Sequence, residues 1–204
     1  AYNDPQAEET VQKVISKIEI GDNQPTHMLL FYAAMKDDHK TIRTVLDQTD
    51  NNRNLITGLM GNMMNFGKVG NDLTYLQRIQ SDKTYDASNL LENAAYSGDR
   101  RVAGFVLKNF EYSEKSLTKA VNIAMDNYHH GFAMDLLRQG KSKSNADMTY
   151  ALEAAALRGE AQIVREIVKS YSYDEKEFSN ALVDAATNQQ RQSVDAMVAA
   201  VPSG

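Results

Sequence analysis

The sequence contains no cysteine and little proline, and both scarcities restrict the structure. Without cysteine the chain forms no disulfide and performs no thiolate chemistry, which is compatible with any compartment. Its three prolines are Pro5, Pro25 and Pro202. Because proline interrupts helices, the stretch from 26 to 201 can be helical throughout.

The chain also lacks a block of basic residues and carries a formal net charge of -5. A nucleic-acid partner requires a positive stripe that neutralises phosphates, so we expect none. No apolar run is long enough to cross a bilayer and no signal-peptide pattern opens the chain, so we expect no membrane insertion. Because the chain opens with Ala1 rather than methionine, we expect it to derive from a longer precursor.

What the sequence does contain is an internal repeat. Small or apolar residues recur at spacings of 30, 31, 29, 32 and 30 residues, at Ala34, Met64, Ala95, Ala124, Ala156 and Ala186. A second apolar column stands four residues earlier, at Leu30, Met60, Leu91, Ala120, Leu152 and Leu182. A third stands twelve residues later, at Leu46, Leu76, Leu107, Leu136, Val168 and Val198. Self-similarity at this period is typical of solenoids.

Each unit has the pattern of a helix, a tight turn and a second helix. In the fifth unit Leu152, Ala155 and Ala156 share one helical face, and Ile163 to Val168 carry a second apolar stripe. The turn between them falls on residues that favour a left-handed conformation or tolerate it, namely Asp37, Gly67, Gly98, Asn127, Gly159 and Gln189. No connector alternates apolar and polar residues, so we predict an all-α solenoid without strands.

The predicted organisation has three parts. Residues 1–25 form an N-terminal segment whose helix, over 7–19, carries Val11, Val14, Ile15 and Ile18 on one stripe and caps the array. Residues 26–201 form the array itself, and 202–204 form a tail. The predicted units lie near 26–49, 54–80, 86–110, 113–140, 145–170 and 174–201.

These units resemble ankyrin repeats. The resemblance is carried by Leu91-x-x-Ala94-Ala95-x-x-Gly98-Asp99 followed by Val106-Leu107, and it recurs from Leu30 and from Leu152. It covers about residues 26–201. The Thr-Pro-Leu-His opening and the Gly-Ala-Asp-x-Asn finger of the family are absent, so we expect shortened or absent β-turn fingers. Tetratricopeptide and pentatricopeptide landmarks are missing, and HEAT or armadillo repeats require a longer period.

The resemblance implies that the outward side of the first helices lines a concave groove where partners bind. The outward positions are counted from the repeat column that begins at Ala34, and they lie six before, two before and one after it. The position six before contains Met28, Asn89 and Tyr150, and the other two contain the candidates named below. Asparagines in line at repeat spacing offer donors and acceptors to an extended peptide backbone. The alternative is that the apolar members cover seams between repeats and the asparagines are solvated. The candidate partner-binding residues are Tyr32, Met35, Asn62, Asn93, Tyr96, Asn122, Met125 and Leu157.

No catalytic, cofactor or metal site is indicated. The stretch from Gly61 to Lys68 has the wrong spacing for a phosphate loop, and Val69 stands where a magnesium-binding hydroxyl is needed. His129 and His130 are adjacent and point to different sides of a helix, so we interpret them as surface residues rather than metal ligands. We therefore predict no catalytic residues, no cofactor, no metal and no small-molecule substrate.

The favoured interpretation is a non-enzymatic binding module whose concave face takes a protein or an extended peptide. The resemblance also leaves open a secreted, host-directed effector, and the compartment stays open between the cytoplasm and secretion into a host cell. Two alternatives remain. The array is the targeting or substrate-recognition region of a larger enzyme, or it is a structural scaffold or self-assembly module.

Overall fold

The computed structural model describes residues 9–10, 13–69, 73–81, 85–140 and 145–201. These residues are mostly helical, and none of them belongs to a β-strand. The prediction of an all-α fold is confirmed. The chain divides into two compact units, residues 1–85 and 86–204, so the single continuous array over 26–201 stays a prediction.

Unit 1 (residues 1–85) contains α1 (Gln24–Lys36), α2 (His39–Gln48), α3 (Arg53–Asn65) and the single turn α4 (Thr74–Gln77). Helix α1 packs on α2 and on α3, and α3 packs on α4. Pro25 lies in the first turn of α1, where its missing N–H has no helical partner to lose.

Unit 2 (residues 86–204) contains four helical hairpins. The first helix of each hairpin contacts the first helix of the next, and second helices contact second helices. Connectors pair through isolated parallel bridges, Asp86 with Glu111 and Asp147 with Ser172. The helices are α5 (Ser88–Ser97), α6 (Arg100–Asn109), α7 (Glu114–Asp126), α8 (His130–Gln139), α9 (Thr149–Arg158), α10 (Ala161–Ser170), α11 (Glu175–Thr187) and α12 (Arg191–Val198).

One hydrogen-bonded turn recurs through both units. A residue with positive φ ends each first helix, and the following N–H donates to the carbonyl five positions back at 2.7–2.9 Å. This pattern closes a helix by satisfying a carbonyl that would otherwise lack a partner. The donor and acceptor pairs are Asp38 with Ala33, Lys68 with Met63, Asp99 with Ala94, His129 with Ala124, Glu160 with Ala155 and Gln190 with Ala185.

The turns correct the predicted register of the fourth unit. The left-handed residue is Tyr128, with φ 59°, whereas the predicted Asn127 has φ -89°. Helix α7 therefore runs one residue further, and Met125 rather than Ala124 occupies the repeat column. Both registers were compatible with the sequence because Ala120, Val121, Ala124 and Met125 are all apolar and all buried.

The N-terminal segment is described only in part. The predicted helix over 7–19 includes Val11, which lies outside the described residues. Residues 9–10 and 13–15 are helical, and residues 16–18 form a turn and a bend, so the predicted end at residue 19 is wrong. Within this stretch Ile15 is buried and Val14 is exposed. The predicted tail over 202–204 also lies outside the described part of the chain.

Candidate functional site

The first helices of unit 2, α5, α7, α9 and α11, lie side by side because each packs on the next. We call their solvent-facing side the first-helix face. Large apolar side chains are exposed along it, at Tyr96, Tyr150, Leu157 and Val183. The hairpin core does not require these side chains, since the packed columns are filled by other residues.

The predicted partner-binding residues differ in accessibility. Tyr32, Tyr96 and Leu157 are exposed, whereas Met35, Asn62, Asn93 and Asn122 are half-buried. Tyr32, Met35 and Asn62 belong to unit 1, and the other five belong to unit 2. That all eight form one partner-binding surface stays a prediction.

The predicted exposure of Met125 is wrong, because its side chain is completely buried. The shifted register of α7 explains this: Asp126 occupies the outward position that was assigned to Met125. The same shift places Ile123 where Asn122 was expected. Asn122 instead corresponds to Glu92 and Glu153, so the repeat register does not place Asn62, Asn93 and Asn122 in line.

Asn122 is nevertheless unusual. Its Oδ1 atom is buried and accepts no hydrogen bond from any described residue. An unpaired buried polar atom costs free energy. Asn93, one helix away, likewise makes no side-chain hydrogen bond to the described residues.

A groove with a volume of about 540 Å³ lies between α9 and α11. The helical period predicts the outward positions of Leu157 and Tyr150, but it does not predict the acidic walls of the groove. The signal in the sequence that could have indicated these acidic walls is the recurrence of carboxylates at outward positions of neighbouring first helices. The groove is lined by Tyr150, Glu153, Ala154, Leu157, Arg158, Glu177, Asn180, Ala181, Val183 and Asp184.

The groove is electrostatically negative. Partial burial raises the pKa of Glu153, and the charges of Glu177 and Asp184 raise it further. Tyr150 Oη donates a hydrogen bond of 2.6 Å to Asp126 Oδ1 on α7. That hydrogen bond raises the pKa of the Tyr150 phenol, with burial and the Asp126 charge adding to the effect. Tyr150 is thereby fixed between α7 and the groove.

The opposite side of unit 2 carries a second cavity, of about 480 Å³, among the second helices and their turns. Ion pairs span it, from Arg100 to Asp135 and from His130 Nδ1 to Glu160. His130 is half-buried, and His129 Nε2 lies 3.2 Å from the Tyr96 carbonyl oxygen. His129 is the N-cap of α8 and His130 is its first residue, so the two side chains lie at different positions and contact different neighbours.

In the part of the chain that the structure describes, no group of three or more His, Asp or Glu residues could hold a metal ion. The described helices include none with the length and apolar character needed to cross a bilayer. Comparison of the chain with protein families, with curated proteins and with solved structures finds no match.

Proposed function

We propose that this chain is a binding module that takes a protein or peptide segment on the first-helix face of unit 2. The observation that carries the proposal is the groove between α9 and α11, where Leu157 and Val183 are exposed beside a cavity of about 540 Å³. Contiguous apolar surface with a polar rim is typical of interaction sites, and a few such anchors dominate binding energy.

The half-buried amide of Asn93 supports a peptide as the occupant. Asn93 lies on α5, and its side chain makes no hydrogen bond to the described residues. Its amide can accept from the N–H of an extended peptide and donate to a carbonyl in return. Tyr96, exposed on α5, supplies an aromatic anchor beyond the groove.

The proposal includes an ankyrin-like α-solenoid architecture for unit 2. Its support is the ordered packing of hairpins, the paired alanines of α5 and α9, and the left-handed glycines Gly98 and Gly159. The connectors depart from the family pattern, since the described ones pair through single bridges rather than through projecting fingers.

The test begins with peptides selected from a random library on the full chain. Their affinities are then measured by fluorescence anisotropy. Val183→Asp should weaken binding at least about tenfold by placing a charge on an apolar contact, and Tyr96→Ala should cost about 2 kcal/mol. The matched control is Val198→Asp, which alters another exposed valine, on α12.

Substitutions on the second helices provide the result that would contradict the proposal. If Arg165→Glu and Val198→Asp abolish binding while Val183→Asp and Tyr96→Ala retain it, the interaction surface lies on the second helices and the proposal fails. A selection that enriches no peptide above an unrelated helical protein also contradicts it.

A scaffold function is the second candidate, and the exposed apolar side chains of the last hairpin favour it. Ala186 and Val198 are exposed there, although their counterparts Ala156 and Val168 are buried and half-buried. Self-association through this face predicts a mass that rises with concentration in analytical ultracentrifugation and returns to the monomer in Ala186→Asp. A constant monomer mass would exclude it.

A further inference from the structure

We propose that the segment bound in the α9–α11 groove is basic, with an arginine or lysine of the partner seated among Glu153, Glu177 and Asp184 and an adjoining apolar side chain on Leu157 and Val183. This inference rests on the proposed binding function and specifies the chemistry of the partner.

The first support is that no cation among the described residues forms an ion pair with the carboxylates of the groove. The side-chain carboxylates of Glu153 and Asp184 have no hydrogen bond or ion pair to any residue that the structure describes. Among the described residues, the carboxylate of Glu177 accepts one hydrogen bond, from the side-chain amide of Asn180 at 2.9 Å. The carboxylates therefore retain free oxygens for a donor from outside.

Arg158 does not fill this role although it lines the groove. Its guanidinium carbon lies 5.3 Å from the centre of the Tyr128 ring, a cation–π geometry that holds the side chain to one side. With Arg158 in place, partial burial still raises the pKa of Glu153, and repulsion from Glu177 and Asp184 raises it further. An incoming cation would relieve this repulsion.

An organic cation suits the arrangement better than a metal ion. The described carboxylates do not form a cluster compact enough to hold a metal. A guanidinium or ammonium group instead uses several separate donors, and its aliphatic stem packs on apolar surface such as Leu157 and Val183. The groove thus combines the charged and apolar contacts that a basic, amphipathic segment requires.

The charge distribution of unit 2 supports the same partner and orients it. The first helices carry more acidic than basic residues, whereas the second helices carry more basic than acidic ones, led by Arg100, Arg101 and Lys108 on α6. A basic segment is attracted to the first-helix face and repelled from the opposite side.

The test uses two fluorescein-labelled peptides, Ser-Gly-Arg-Leu-Ser-Arg-Leu-Gly-Ser and its counterpart with glutamine in place of arginine. We expect the arginine peptide to bind the full chain at least about tenfold more tightly in anisotropy titrations, with an affinity that falls as salt rises. Glu153→Gln combined with Asp184→Asn should remove this preference. Asp195→Asn, which neutralises an exposed carboxylate on α12, should preserve it.

The outcomes separate this inference from the proposed function. If both peptides bind equally and Val183→Asp weakens both, the groove binds a segment but not a basic one, so the inference fails alone. If neither peptide binds, the inference is overturned, and the library selection still decides the binding function. If the carboxylate variants leave the arginine preference intact in a folded protein, the basic segment is bound elsewhere.

Discussion

The inner hairpin α9–α10 and the last hairpin α11–α12 have the same pattern and different burial. Ala151 and Ala155 are buried, and so are their counterparts Ala181 and Ala185. Leu152 and Ala156 are buried as well, but Leu182 is half-buried and Ala186 is exposed. The face with Ala151 and Ala155 therefore packs on the preceding hairpin, and the face with Leu152 and Ala156 packs on the following one. A repeat sequence thus specifies which faces can be buried, and the neighbouring hairpin decides whether they are.

The largest expected effect on stability comes from the same substitution made at Ala156 and at its counterpart Ala186. Ala156→Asp should destabilise the protein by about 3–5 kcal/mol, because the carboxylate becomes buried without a partner. Ala186→Asp should change stability by less than about 0.5 kcal/mol, since its side chain stays in water. Urea denaturation followed by circular dichroism measures the stability of both variants. Equal effects would contradict the conclusion that the face with Ala156 packs on the following hairpin.

Cavity formation at Leu152 and at its counterpart Leu182 should give a smaller difference in stability. Leu152→Ala should cost about 3 kcal/mol, because the buried methyl groups leave a void. Leu182→Ala should cost about 1 kcal/mol, since the half-buried side chain loses fewer contacts. The comparison of denaturation midpoints fails to support the contrast if Leu182→Ala costs as much as Leu152→Ala.

Ser193 offers a change in the stabilising direction. It occupies in α12 the place of Ile163 in α10, it is completely buried, and its Oγ has no hydrogen-bond partner among the described residues. Ser193→Ala should raise stability by about 1 kcal/mol by removing an unpaired polar atom. Ser179→Ala, on the exposed side of α11, is the control and should change little. A loss of stability in Ser193→Ala would indicate that its hydroxyl is satisfied.

The smallest effect concerns pH and the acidic groove. The folded-state pKa of Glu153 is raised above its ordinary value of 4.5, so the folded protein holds this proton more tightly than the unfolded chain does. The contribution of this proton to stability is present at pH values below 4.5 and is lost as the pH rises through the folded-state pKa. Glu153→Gln should therefore raise the melting temperature slightly at pH 7, and the difference from the parent should shrink toward pH 4. Asp195→Asn is the control, and an identical response in both variants would contradict the prediction.

The candidate site was anticipated only in part, and the fourth unit shows why. The exposed positions of Tyr96 and Leu157 followed from the helical period alone. Met125 was misplaced because α7 presents two adjacent apolar stripes, and periodicity does not choose between them. Asn127 is the better left-handed residue by local preference, yet Tyr128 takes that conformation. The strain of a left-handed tyrosine, about 1–2 kcal/mol, is offset by burying Met125 in the stack.

The sequence by itself determined the helical hairpins of unit 2, because proline placement, apolar spacing and turn residues are local properties that act within a single hairpin. Tertiary structure decided the register of α7, the exposure of Ala186 and the acidic groove. Each of these depends on which helix lies beside another. Burial and electrostatic repulsion are properties of neighbours, so Glu153, Glu177 and Asp184 became one negatively charged site only when α9 packed on α11.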